Sequence, residues 1–81
     1  MPDLDQLRRV FRETLDLPPE VAVDTLQYRS IDKWDSLAHM ALVAALEQEF
    51  DVMIDTEDVL AISSFQAARD VLERQGVTFT N

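Results

Sequence analysis

The stretch that decides the fold is Asp32-Lys-Trp-Asp-Ser-Leu-Ala-His-Met-Ala-Leu-Val-Ala-Ala-Leu-Glu-Gln-Glu-Phe50. At about 100° per residue, Leu42, Val43, Leu46 and Phe50 fall on one arc with His39, the spacing of a helix stripe that faces a core. A second set, Leu37, Met40, Ala41 and Ala44, continues into Glu47 and Gln48 with the same period but is turned well away from the first. A helix needs only one apolar face to join a small core, so the second is a candidate docking surface. Ser36 sits at its leading end.

Toward the amino terminus, residues 17–35 show neither helical nor strand periodicity. A loop of that length in a compact domain is usually functional or internally packed. Val21, Val23, Leu26, Tyr28 and Ile31 are spread along it and pin it over the helices, and Asp24 or Ser30 is placed to cap a short turn. Trp34, the only tryptophan, reads as a partly buried anchor ahead of Ser36, with partner contact as the other reading. Before the loop, Pro2-Asp3 opens a helix in which Leu4, Leu7, Phe11 and Leu15 recur every three or four residues and Pro18-Pro19 act as the stop. Arg8, Arg9 and Arg12 lie off that stripe, as a solvated face pairing with Asp5, Glu13 and Asp16.

Toward the carboxyl terminus, the central helix is expected to end near Phe50-Asp51. Val52-Met53-Ile54 is too short for a sheet and reads as a buried connection. Asp55-Thr56-Glu57-Asp58 is a concentrated helix-start signal, but Val59-Leu60-Ala61-Ile62 leaves room for one short helix only. Ser63-Ser64 caps a last helix with Phe65, Ala68, Val71 and Leu72 inward, and Gly76 is placed to end it. Val77 to Asn81 is expected to fray. The predicted fold is all-α: a small four-helix bundle of three longer helices and one short one with a long first loop, a single domain over residues 1–81.

Composition narrows the function. At 47% hydrophobic residues the chain is too apolar for wholesale disorder. It has no cysteine, so no disulfide framework, thiolate metal site or cysteine nucleophile is available. No signal-peptide pattern stands out, and no apolar run approaches the roughly 18–20 residues that span a bilayer, so a cytoplasmic location is expected. The formal charge is −9. Between Lys33 and Arg69 there is no Lys or Arg, while Asp35, Glu47, Glu49, Asp51, Asp55, Glu57 and Asp58 all lie there. Such a field repels nucleic acid and anionic membranes and attracts basic protein surfaces, or it serves only solubility.

Ser36 and His39 are three residues apart with Asp35 adjacent, which raises nucleophilic catalysis. That chemistry needs an orienting group for the base and donors around an oxyanion. Here His39 points along the core stripe, no glycine-rich turn supplies an oxyanion hole, and a small helical chain leaves little room for a cleft. One histidine and no cysteine exclude zinc-type clusters, and the acidic turn at 55–58 lacks the spacing and glycine of a calcium loop. Asp35-Ser36 could be no more than a helix cap. The other role open to Ser36 is that of a substrate.

Asp35-Ser36-Leu37, then Leu42-Val43-Ala44-Ala45-Leu46-Glu47-Gln48-Glu49-Phe50-Asp51, then Ile54 and the acidic turn at 55–58 together resemble the acyl carrier protein family, over essentially the whole chain. The resemblance implies a non-catalytic, monomeric carrier. A phosphopantetheinyl transferase would attach 4′-phosphopantetheine from coenzyme A to Ser36, between Asp35 and Leu37, and the arm's thiol would hold acyl groups as thioesters. A bound chain could be sheltered between the helices. Leu37, Met40, Ala41, Ala44, Glu47 and Gln48 would form the face on which the transferase and acyl-loading and acyl-processing enzymes dock through basic patches, with no nucleic acid or membrane partner. The sequence departs from fatty-acid-synthesis members, which commonly have Gly two residues before the motif Asp and acids soon after the serine. Lys33, Ala38 and Ala41 hold those places, and Trp34 directly precedes the motif. A specialised biosynthetic pathway is therefore expected. The alternatives are a housekeeping fatty-acid carrier and an unmodified acidic helical interaction module.

Overall fold

The computed structural model describes residues 2–80. Four helices follow one another: α1 at Leu4–Leu15, α2 at Ser36–Phe50, α3 at Thr56–Ala61 and α4 at Phe65–Arg74, with a single 3-10 turn at Val23–Thr25 inside the long loop. Among the described residues there is no strand, only two isolated bridges. The expected bundle of three longer helices and one short one is what forms.

Each helix begins on a side chain that accepts from an amide two or three residues into the first turn, as N-caps do. Asp3 accepts from the Gln6 amide at 2.7 Å, Asp35 from Ala38 at 2.8 Å, Asp55 from Asp58 at 3.0 Å and Ser64 from Ala67 at 3.0 Å. The ends are less uniform. Gly76, at φ 98°, closes α4 in a Schellman motif: its amide bonds the Glu73 carbonyl and the Val77 amide bonds Leu72, each at 3.0 Å. The other two long helices stop on aspartates in the left-handed region, Asp16 at φ 52° and Asp51 at φ 54°. Helix α1 therefore ends before Pro18-Pro19 is reached, because the amides of Asp16 and Leu17 both turn back to the Arg12 carbonyl.

The core forms where α1 packs against α2. Gln6 and Arg9 of α1 reach Glu49 at the far end of α2, while Phe11 meets Trp34 at its near end, so the two helices run antiparallel. Phe11 is the centre of the core. It is fully buried, with Trp34 edge-on at 5.6 Å and Phe65 of α4 edge-on at 5.5 Å between ring centroids. Fully burying side chains of this kind stabilises by about 1.5–3 kcal/mol each. The loop is laid into that core by Val23, Leu26 and Trp34, all buried. It is also stitched to the α3–α4 junction by the Tyr28 amide, which donates to the Ser63 carbonyl at 2.8 Å.

Several expectations are overturned, the ion pairs among them by partners from other elements. Of the two candidate turn caps, Ser30 closes the turn at Gln27, whereas Asp24 pairs with Arg8 at 2.8 Å. That guanidinium holds the Asp24 carboxyl below its ordinary range, burial opposing it. Arg8 does pair with Asp5, but Arg9 pairs with Glu49 at 3.1 Å rather than Glu13, and Arg12 donates to the Pro18 carbonyl at 3.2 Å. Asp16 pairs with Lys33 instead. The arginine-bearing side of α1 borders α2 and the loop, which bring acceptors closer than the neighbouring turns of α1 do. Met53 is 84% exposed, not part of a buried connection; Val52 is half-buried against the core and Ile54 is buried, its amide held by the Glu47 carboxylate at 2.8 Å.

The carboxyl-terminal segment is tied down rather than frayed as far as Thr80. Leu4 donates to the Thr80 carbonyl at 3.1 Å, Thr80 donates to the Pro2 carbonyl at 2.9 Å, and Phe79 meets Phe50 edge-on at 5.5 Å. Asn81, the last residue of the expected frayed tail, lies outside the described residues. Among the described residues no helix is long and apolar enough to cross a membrane.

Candidate functional site

The start of α2 is fixed by the residue two places before Ser36. Trp34 is 0% exposed, not a partly buried anchor. Its backbone closes a tight loop, the amide donating to the Ile31 carbonyl and the carbonyl accepting from the Arg29 amide, each at 3.2 Å. Its indole Nε1 donates to His39 Nδ1 at 3.1 Å, and His39 Nε2 lies 2.9 Å from the Val59 carbonyl of α3. An imidazole nitrogen that accepts from an indole carries no proton, so the other must carry it and donate to Val59. One neutral tautomer satisfies both bonds. The imidazole thus joins the loop, α2 and α3 at a single buried point.

This arrangement decides the role of His39. It is 8% exposed, the one buried polar side chain among the described residues, as its place on the core stripe implies. Both of its nitrogens are committed. It is not available to take a proton from Ser36, and among the described residues no group of His, Cys, Asp and Glu is arranged to hold a metal. The sequence marked Trp34 and His39 separately as packing residues. The bond between them was missed, although a tryptophan just before a helix and a histidine on its core stripe is the signal that could have found it.

Ser36 is the first residue of α2, and Asp35, not Ser36, is its cap. The serine is exposed, and its Oγ has no hydrogen-bond partner among the described residues. By contrast Ser30 and Ser64 have their hydroxyls committed to the backbone. The first turn of α2 carries no acid, so beyond the cap nothing there opposes an added negative charge, which a helix amino terminus favours.

Behind Ser36 the second stripe of α2 lies at the surface. Leu37 is 82% and Met40 56% exposed, and Ala41, Ala44 and Gln48 are exposed as well. Glu47 departs from them: it is half-buried, with its carboxylate bonded to the Ile54 amide. Leu60 of α3, at 78% exposed, is a further bare apolar side chain that the sequence reading left out of this face. The loop side of Ser36 differs in character. There Arg29, Ile31, Asp32, Trp34 and Asp35 line a shallow depression.

A family model described as the phosphopantetheine attachment site matches residues 5–72. The solution NMR structure of holo acyl carrier protein from Geobacter metallireducens superposes with a TM-score of 0.76 at 28% identity, over 93% of this chain and 86% of that one. The residues present suit such a group: an uncommitted serine hydroxyl at a helix amino terminus accepts a phosphodiester without disturbing a cap or a buried contact. This chain belongs to the acyl carrier protein family, the non-catalytic carriers that hold a covalently attached 4′-phosphopantetheine.

Proposed function

We propose that Ser36 is the attachment point of the 4′-phosphopantetheine arm and that the carrier serves a specialised biosynthetic pathway. The observation that carries the first part is the exposed, uncommitted Ser36 hydroxyl at the start of α2, where Asp35 alone does the capping. In the transfer, Ser36 Oγ forms a bond to the β-phosphorus of coenzyme A as 3′,5′-ADP leaves. Its proton passes to a base on the transferase, since His39 is committed elsewhere. The arm supplies a thiol, which this cysteine-free chain otherwise lacks, for holding acyl groups as thioesters. Incubation with coenzyme A and a broad-specificity transferase should add one phosphopantetheine to the wild type and none to Ser36→Ala, which stays folded by circular dichroism. A loaded Ser36→Ala protein would refute the assignment.

The second part rests on what surrounds Ser36. Leu37, Met40, Ala41 and Ala44 present an apolar surface, and the nearest acids further along α2 are partly spent: Glu47 on the Ile54 amide and Glu49 on Arg9 and Gln6. Exposed charges act over about 8–10 Å at ordinary ionic strength, so the remaining acids steer a basic partner while apolar burial makes the close contact. Transferase and acyl-processing enzymes would dock on this face. Ala38→Asp with Ala41→Glu should improve use by fatty-acid synthesis enzymes and impair the native partner. Wild-type protein that already supports fatty-acid elongation as well as the double variant would return the carrier to housekeeping synthesis.

A further inference from the structure

We infer that Arg29 holds the phosphodiester of the arm and turns its pantoyl end into the depression on the loop side of Ser36. This rests on Ser36 being the attachment point. The chain has seven Lys and Arg against a formal charge of −9. Arg8, Arg9, Lys33, Arg69 and Arg74 are each paired with an acid, and Arg12 donates to backbone carbonyls. Among the described residues Arg29 alone has neither an acidic partner nor a carbonyl acceptor for its guanidinium. The one cation held by neither an acid nor a carbonyl shares a depression with Asp35, the neighbour of the residue that would gain an anion.

Its position is built rather than incidental. Arg29 has φ 65°, in the left-handed region that a residue with a β-carbon adopts only when its surroundings hold it there. The holding contacts are its amide, which donates to the Trp34 carbonyl at 3.2 Å, and its guanidinium, which lies 5.4 Å from the centre of the Tyr28 ring. Through Trp34 the backbone of Arg29 is fastened two residues before Ser36. The Tyr28 side chain, the chief influence holding the guanidinium charged, occupies one side of it; the exposed group has further N–H donors of the kind that bind phosphate oxygens.

The depression suits the chemistry next to the phosphate. Its volume is about 270 Å³, just under the roughly 300–1,000 Å³ of sites that enclose a whole small ligand, so it takes one end of the arm and not its length. Half-buried Ile31 offers an apolar wall to the pantoyl methyls. Asp32 and Asp35 line the same depression and repel the phosphate. Asp35 is turned to the Ala38 amide as the cap, so the anion is driven toward Arg29. Their carboxylates remain as acceptors for the pantoyl hydroxyl and amide.

The test uses the full chain, isotope-labelled and loaded with an unlabelled arm from coenzyme A, with a mass spectrum first establishing that one arm is present on Ser36. Filtered nuclear Overhauser effects from the pantoyl methyls should reach Ile31 in the wild type and in Arg29→Lys. In Arg29→Glu, an exposed substitution checked by its amide spectrum, they should fall by about two- to fivefold, the range an exposed ion pair supports. A loaded wild type whose pantoyl contacts go only to Leu37 and α3, or an Arg29→Glu protein with undiminished contacts, overturns the inference and leaves Ser36 in place. No arm on Ser36 overturns the attachment reading and this inference with it.

Discussion

Replacing His39 by leucine tests whether the buried imidazole is a structural joint. Leucine keeps the burial but removes both nitrogens. Trp34 Nε1–H, in a residue that is 0% exposed, then has no acceptor, and a stranded buried donor costs about 1–3 kcal/mol. The Val59 carbonyl loses its donor too, but Val59 is only half-buried and water can replace it. Apolar burial of the leucine returns part of the loss, so His39→Leu should destabilise by about 1–2 kcal/mol. In a domain of this size each kcal/mol lowers Tm by about 4–8 °C. Thermal melts by far-ultraviolet circular dichroism measure the loss, and combining the variant with Trp34→Phe identifies its cause. If the stranded indole is responsible, Trp34→Phe costs less in the His39→Leu background than in the wild type, by a coupling of about 0.5–3 kcal/mol. Hydrogen exchange at the Ile62 amide, which closes α3 on the Asp58 carbonyl, should quicken as α3 loses its tie to α2. His39→Leu within about 0.5 kcal/mol of the wild type, with additive effects, would refute the joint.

Two further outcomes follow from the packing. Leu46 is fully buried, so Leu46→Ala should cost about 2–5 kcal/mol, while Leu37→Ala and Met40→Ala should leave Tm almost unchanged and slow arm transfer; Leu37→Ala melting with Leu46→Ala would show the two faces of α2 to be wrongly divided. Phe79→Ala removes the edge-on contact with Phe50 and should lower stability by about 1 kcal/mol, read from denaturant unfolding, whereas no change would mean that the carboxyl-terminal segment contributes nothing.

What was legible in the sequence was whatever a helix writes into its own period. The two stripes of α2 separate on the helical wheel as they do in the fold, with Leu42, Val43 and Leu46 inward and Leu37 and Met40 outward. The four helix starts were legible for the same local reason, since a cap lies within a few residues of the amide it satisfies. The helix ends were less so: Gly76 announces a left-handed turn, but Asp16 and Asp51 adopt one without glycine. Contacts between distant residues left no periodic trace. Val77–Thr80 has too little pattern to reveal that Thr80 bonds Leu4 and Pro2, and nothing near Arg9 in sequence indicates that Glu49 outcompetes Glu13. At the candidate site, Ser36 stood out through its neighbours. Arg29 did not, because its interest lies in lacking an acidic or carbonyl partner, and that emerges only when every other cation has been placed.

The central claim is that Ser36 carries the arm, and fragmentation of the loaded protein tests it most directly. After loading from coenzyme A, tandem mass spectrometry of the proteolysed wild type should place phosphopantetheine on Ser36 within the peptide that also contains Trp34 and Asp35, at one arm per chain. Ser63 is the informative control, being exposed on the short link between α3 and α4. An arm found on Ser63, or a chain that takes up no arm at all, would contradict the account.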